Sequence, residues 1–153
     1  VSGWVLFRES GAAAAGMILR HNNGLVIFAT YRFIFNCNDA LEAELHAIMQ
    51  GMALTLQHSN LLVIVQSDSS EALSSITRDG LVRSAYGHLV AEIKELMKDR
   101  EFIPRKLSRD QNRVADSLAN YSRLECTTAV WLHLGPPCIE DLLPLDCNSL
   151  IME

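Results

Sequence analysis

The pattern of hydrophobic and polar positions predicts strands in the first third of the chain. Three short runs, at residues 5–7, 16–20 and 25–35, are rich in apolar, β-branched or aromatic residues. Polar residues 21–24 separate the last two runs and contain an Asn-Gly pair. This pair is typical of a tight hairpin, because both central residues of that turn adopt positive φ. The first third is therefore predicted to be an antiparallel meander.

From Asp39 onwards the apolar positions recur with helical spacing. Asp39 and Glu42 form a capping-box pattern, which marks the start of a helix. The apolar stripe of this helix consists of Leu41, Leu45, Ile48, Met52 and Leu56. The polar segment 58–60 ends the pattern. The continuous apolar run 61–65 then predicts a strand that is covered on both faces.

The second half of the chain alternates between the same two patterns. Helical spacing returns at residues 72–76 and 86–97, a short strand is predicted at 102–107, and a last helix at about 111–122. The resulting order of elements is β-β-β-α-β-α-α-β-α. This order predicts an α/β fold with a mixed sheet, in which an antiparallel three-strand meander is joined by two parallel strands and helices cover the sheet.

Composition narrows the class of protein further. The 153 residues are 49% hydrophobic and 20% charged, which predicts a folded domain rather than a disordered chain. Residues 45–67 lack charged side chains, but several polar residues interrupt this stretch, so we expect no membrane span. The four cysteines show no zinc-ligand spacing and the start shows no secretory signal. We therefore expect free thiols and an intracellular, reducing compartment, either nuclear or cytoplasmic.

The charges separate a neutral body from an acidic tail. Residues 1–123 contain 13 basic and 13 acidic side chains, whereas residues 124–153 contain only acidic ones and carry the whole net charge of −5. Prolines interrupt any regular pattern in this tail, which is expected either to wrap over the body or to form a loose appendage. Within the body, residues 99–113 have a net charge of +2, a weak local signal for nucleic-acid binding.

Two carboxylates occupy positions that indicate chemistry. Glu44 borders the apolar face of the helix after Asp39, where burial favours neutralisation unless a cation or metal lies nearby. The alternative is a side chain that reaches solvent at the edge of the apolar stripe. Asp68 directly follows the central apolar strand, where ligand sites form in α/β sheets. Its alternative role is structural, since Asp68 or Ser69 suits the N-cap of the next helix.

A third carboxylate, Asp116, lies in the last predicted helix. By its position alone it is a solvated helix residue that pairs with Asn112 or Arg113. Taken with Glu44 and Asp68, however, it completes a set of three acidic groups from a helix, a strand end and a later helix. Such groups can meet over one patch of sheet and bind a hard divalent cation through oxygen.

Three motifs carry a resemblance to a known family. They are Ala-Glu-Leu at 43–45, Gln-Ser-Asp-Ser at 66–69 and Arg-Asp-Gln-Asn-Arg-Val-Ala-Asp at 109–116. Over about residues 4–123 the chain resembles the ribonuclease H family, most closely the reverse-transcriptase-like domains of plant genomes and retroelements. The resemblance implies a five-stranded mixed sheet with helices on both faces. It also divides the chain into a ribonuclease H-like domain, 1–123, and a C-terminal tail, 124–153.

The resemblance further implies an activity and a site. Members of the family are magnesium-dependent endonucleases that cleave the RNA strand of RNA–DNA hybrids, with Mn²⁺ as a possible substitute for Mg²⁺. The expected partner is thus an RNA–DNA hybrid or a similar duplex, and no membrane. The residues that match catalytic metal ligands are Glu44, Asp68 and Asp116. The residues that match nucleic-acid contacts are Ser69, Lys106 and Asn112.

The chain departs from the family pattern at several positions, one of which is a metal ligand. Trp4 stands where the family has its first metal-binding Asp, and tryptophan offers no oxygen ligand. Lys106 replaces a frequent His and is a poor general base at neutral pH. Two hypotheses follow, an active nuclease and a catalytically degenerate domain that binds nucleic acid. A third hypothesis is a protein-interaction module that uses Trp131, Leu132 and Leu134.

Overall fold

The computed structural model describes residues 6–9, 12–21, 25–35, 39–60, 62–78, 86–108 and 113–143. In chain order the elements are β1 (Leu6–Glu9), β2 (Ala12–Arg20), β3 (Val26–Phe35), α1 (Ala40–His58), β4 (Val63–Ser67), α2 (Ser70–Thr77), α3 (Gly87–Met97), β5 (Phe102–Lys106), α4 (Arg113–Glu125) and β6 (Ala129–Leu132). A 3-10 helix, Pro137–Ile139, follows. The predicted order of elements is confirmed up to α4. The predicted hairpin turn at 22–24 lies outside the described residues.

The strands combine antiparallel and parallel pairing, as predicted. β1, β2 and β3 form an antiparallel meander, and β4 and β5 are parallel. The predicted count of five strands is wrong, because β6 pairs with the free side of β3. Within the described residues, hydrogen bonds join the strands in the order β1-β2-β3-β6 and, separately, β4-β5. β2 also begins four residues earlier than the apolar pattern indicates, because its alanines carry little strand propensity.

Helices cover both faces of the meander, and β2 separates two clusters of buried residues. Met17 and Leu19 of β2 belong to the larger cluster, which includes the apolar stripe of α1 and residues of α3. Ile18 points to the opposite face and packs with Val114 and Leu118 of α4. This alternation follows from the two-residue period of a strand.

The predicted burial of β4 on both faces is wrong at Ile64. Val63 and Val65 are buried, but Ile64 is 38% exposed, and its register partner Ile103 on β5 is exposed as well. The physical reason is the position of α4, which packs on β2 and β3 rather than on this pair of strands. One face of the parallel pair therefore remains partly open.

The tail packs onto the body as far as residue 143. Thr30 Oγ1 donates a hydrogen bond to the carbonyl of Ala129 (2.8 Å), and Ile139 is fully buried in the cluster under α4. Ser117 Oγ donates to the carbonyl of Cys138 (3.2 Å). These contacts identify the described part of the tail as a wrap rather than a loose appendage. The division of the chain at residue 123 stays a prediction, and residues 144–153 lie outside the described part.

Two further predictions concern membranes and thiols. None of the described helices is long and apolar enough to cross a membrane. Cys126 and Cys138 are free thiols, as expected. Cys37 and Cys147 lie outside the described residues.

Candidate functional site

The loop after β4 holds Asp68 at the start of α2. Ser67 Oγ accepts a hydrogen bond from the main-chain N–H of Ser69 (3.1 Å), and Ser69 Oγ accepts one from that of Ala72 (3.2 Å). Ser69 is therefore the N-cap of α2, so the half-buried carboxylate of Asp68 is not needed for capping. The Ser69 hydroxyl keeps its own proton for donation to a ligand.

Lys106 ends β5 beside the same loop. The parallel register pairs Ser67 with Lys106, and the N–H of Leu107 donates to the carbonyl of Ser67 (2.9 Å). The Lys106 ammonium donates a hydrogen bond to the main-chain carbonyl of Asp68, while the side chain is exposed. A solvent-accessible positive charge is thereby held at the end of the parallel strand pair.

Glu44 is buried in α1. Its relative exposure is 6%, its neighbours Ala43 and Leu45 are fully buried, and its Oε2 atom is inaccessible to solvent. The alternative that this carboxylate reaches solvent at the edge of the apolar stripe is therefore wrong. An ionisable group in such a position is costly to bury and is retained where it interacts with other polar groups.

Asp116 lies in the first turn of α4, where the helix contacts β2. A Cβ built on Gly16 would come within 2.6 Å of the Ala119 nitrogen and 2.7 Å of the Leu118 Cβ, and closer still to the Ala115 carbonyl oxygen. Only glycine permits this approach. Asp116 is half-buried and its Oδ1 atom is inaccessible, so the interpretation as a solvated helix residue is wrong. Sequence reasoning did not assign Gly16 to the site. The signal that could have identified it is the run of small residues in β2.

Sequence reasoning thus placed the candidate residues on separate elements, and the structure joins some of them. Lys106, Asp68 and Ser69 lie together at the ends of β4 and β5. Glu44 is buried on α1, and Asp116 is half-buried on α4. Trp4 and Asn112 lie outside the described residues.

A comparison with protein families identifies the family of the chain. The sequence profile described as reverse transcriptase-like matches residues 2–122, which is most of the chain. The chain belongs to the reverse transcriptase-like family. This family is ribonuclease H-like, so the resemblance drawn from the three motifs is confirmed at the level of the family. No curated protein matches the chain significantly.

Solved structures resemble this reverse transcriptase-like domain in fold. Ribonuclease H1 of the halophilic archaeon Halobacterium salinarum NRC-1 has a TM-score of 0.72 at 17% identity, with 82% of this chain and 96% of that chain covered. The N-terminal ribonuclease H domain of a Mycobacterium tuberculosis protein gives 0.67 at 16% identity, with 78% and 98% covered. LC11-RNase H1 in complex with an RNA/DNA hybrid gives 0.64 at 15% identity, with 81% and 96% covered. Because the sequence identities are only 15–17%, the similarity of these structures establishes the fold alone.

Whether the reverse transcriptase-like domain can bind a divalent metal depends on how closely its carboxylates are grouped. In the part of the chain that the structure describes, no three Asp, Glu, His or Cys side chains are grouped so that they could hold a metal ion. Carboxylate oxygens are the ligand type that Mg²⁺ requires, but ligand type alone does not make a site. The described residues therefore do not fit a complete metal centre.

The three apolar tail residues of the interaction hypothesis have different surroundings. Trp131 is half-buried and packs against the cluster under α4. Leu132 and Leu134 are exposed. The tryptophan thus contributes to the fold of this reverse transcriptase-like domain, and only the two leucines are accessible to a partner.

Proposed function

We propose that this domain binds nucleic-acid duplexes, RNA–DNA hybrids above all, at the ends of β4 and β5. The observation that carries the proposal is the exposed Lys106 ammonium, which is held on the Asp68 carbonyl beside the Ser69 hydroxyl. A fixed cation next to a helix N-terminus and a hydroxyl donor suits a phosphate of the backbone. LC11-RNase H1, a structural relative, has been solved with an RNA/DNA hybrid. Asn112 is proposed as a further contact.

Binding to a labelled hybrid, measured by fluorescence anisotropy at several salt concentrations in EDTA, tests this proposal. Replacement of one phosphate-binding lysine is expected to lower the slope of log affinity against log salt by about 1. Lys106→Gln should show this change and Lys106→Arg should largely preserve binding. Lys98→Gln is the matched control, because Lys98 is an exposed lysine that pairs with Glu95 on α3. Equal binding by Lys106→Gln and the native chain would contradict the proposal.

Hydrolysis of the RNA strand is the second candidate function. The match of Glu44, Asp68 and Asp116 to the family motifs supports it. Two observations oppose it: Trp4 stands in place of the family's first Asp, and the described carboxylates form no group of three that could hold a metal ion. We infer that Mg²⁺, or Mn²⁺ in its place, is required for any turnover and that the native chain cleaves slowly or not at all.

Cleavage of a labelled RNA–DNA hybrid, with Mg²⁺ and with Mn²⁺, separates the two candidates. The native chain is compared with Trp4→Asp and with Asp68→Asn. Cleavage by Trp4→Asp alone would identify a nuclease silenced at one position. Cleavage by the native chain that Asp68→Asn abolishes would contradict the inference of impaired turnover.

We also propose a cellular location and an evolutionary origin for the domain. The free thiols of Cys126 and Cys138 favour an intracellular, reducing compartment, because such compartments keep cysteines unpaired. Imaging of a fluorescently tagged chain tests this location. We also infer, from the three motifs alone, the closer kinship to plant retroelement domains.

A further inference from the structure

A cavity of about 560 Å³ lies at the end of β4 opposite Asp68. Ser59 and Asn60, which precede β4, line the cavity, whereas Asp68 follows the strand. A strand of five residues is roughly 16 Å long, so the cavity is well separated from the proposed duplex-binding surface. The volume falls in the range of small-molecule sites.

Three histidines from three elements line the cavity. His21 follows β2, His58 is the last residue of α1 and His133 follows β6. Main-chain hydrogen bonds fix two of them, from His21 N–H to the Leu25 carbonyl and from His133 N–H to the Ile27 carbonyl, both 2.9 Å. The imidazole of His58 lies against the buried ring of Phe28, with a centroid distance of 5.9 Å. The main chain of His21 and of His133 and the ring of His58 are thus positioned by the body of the domain, and all three residues are exposed to solvent.

His133 adopts a left-handed backbone conformation with a φ of 64°. Non-glycine residues rarely adopt this conformation, and such strain concentrates at functional positions. The chain therefore carries an imidazole where glycine or asparagine would suit the backbone better.

The lining has a definite chemical character. Val26 and Ile27 provide an apolar wall, and the imidazoles, Ser59 and Asn60 provide hydrogen-bond donors. Among the described lining residues there is no Asp, Glu, Lys or Arg.

Two basic side chains lie on segments next to the cavity, and one acidic residue, Glu101, precedes β5 beside the start of β4. Arg20 precedes His21 and donates to the Leu143 carbonyl (3.3 Å), and Arg100 donates to the Thr55 carbonyl one turn before His58 (3.3 Å). A cavity that has donors, protonatable rings and no lining acid is suited to an anion.

We propose that this cavity binds a small anionic ligand with an aromatic ring, of the size of a mononucleotide. The imidazole N–H groups donate hydrogen bonds to the phosphate. The aromatic ring packs on the apolar wall and on imidazole, as bases do on aromatic side chains. Three histidines also suit a transition metal. However, the described residues include no group of three potential ligands that could hold a metal ion.

Binding of adenosine 5′-monophosphate to the whole chain, followed by the histidine side-chain NMR signals, tests the proposal. We expect the signals of His21, His58 and His133 to shift together as the nucleotide is added. His133→Asn, which tolerates the left-handed backbone, and His21→Gln should each weaken binding by about tenfold. His88→Gln, at an exposed histidine on α3, should leave binding unchanged, whereas Lys106→Gln reports whether the nucleotide binds at the duplex-binding surface instead. Inorganic phosphate and adenosine, as partial ligands, should each bind more weakly than the nucleotide.

Several results would overturn the proposal. One is that the signals of His21, His58 and His133 do not move when the nucleotide is added, and another is that adenosine binds as tightly as the nucleotide. Loss of binding in Lys106→Gln alone would instead assign the nucleotide to the duplex-binding surface. If His133→Asn unfolds, His133→Gly supplies the same comparison, because glycine adopts this φ without strain.

Discussion

The carbonyl oxygen of Ala115 on α4 lies directly against the α-carbon of Gly16 on β2, with no room for a side chain between them. This contact brings the first turn of α4 onto the sheet and sets the depth at which Asp116 is buried. A helix can approach a strand this closely only where the strand residue has no Cβ. The position of a candidate site carboxylate therefore depends on a glycine one element away.

Gly16→Ala is expected to destabilise the domain by about 2 kcal/mol or more, because the new methyl group meets helix backbone that cannot move locally. Gly135→Ala is the matched comparison. A Cβ there meets Cδ1 and Cγ1 of the buried Ile139 rather than helix backbone, so a smaller loss of stability is expected. Urea unfolding of both variants measures the difference. An equal loss of stability in the two variants would contradict the close approach of α4 to β2.

Asp39→Ala is expected to lower the free energy of unfolding by about 1 kcal/mol, the usual effect of losing an N-cap. Asp39 Oδ1 accepts from the Glu42 N–H (2.9 Å), and Oδ2 accepts from the Tyr86 hydroxyl. Tyr86→Phe removes the second bond alone and so separates capping from the link to the segment before α3. Thermal unfolding of the single and double variants provides the measurement. An Asp39→Ala chain as stable as the native one would exclude capping at this residue.

Thr30→Val is expected to loosen β6 selectively. Thr30 is buried, and its hydroxyl donates to the Ala129 carbonyl. The isosteric valine leaves that carbonyl short of one donor, at a cost of about 1 kcal/mol. Hydrogen exchange of the main-chain amides of β6 should accelerate while that of α1 is preserved. Thr77→Val, which removes a hydroxyl bond on the surface of α2, is the control. Unchanged exchange in β6 would show that strand pairing alone holds this strand.

His46 is expected to make stability depend on pH. Partial burial lowers its pKa, and Arg32 and His88 act in the same direction, whereas Glu42 and Glu92 oppose the shift. Because the unfolded chain takes up this proton first, stability falls as the pH drops below about 6.5 and levels off below the folded-state pKa. His46→Gln should remove this part of the pH dependence. Unfolding free energies of both chains at about pH 7.5 and pH 5.5 test it, and parallel profiles would refute it.

Local patterns were sufficient for most of the elements. The Asp39 cap and the apolar stripe after it predicted α1, and the apolar runs predicted the meander and the parallel pair. The period of a helix or a strand appears in the spacing of apolar residues that are close in sequence. Such elements can therefore be predicted without knowledge of the fold. The local patterns missed β6, whose four residues carry no strong period, and the exposed face of Ile64.

Sequence patterns were sufficient for the order of elements up to α4, for the family, and for three carboxylates and one lysine as candidate site residues. Tertiary structure alone decided which of them meet. Lys106 reaches the Asp68 carbonyl across 38 residues of chain, and Thr30 bonds to Ala129 across 99. It also brought together the three histidines of the cavity. The physical reason is that periodicity specifies which face of an element is buried, whereas the choice of neighbour depends on how all buried faces pack together.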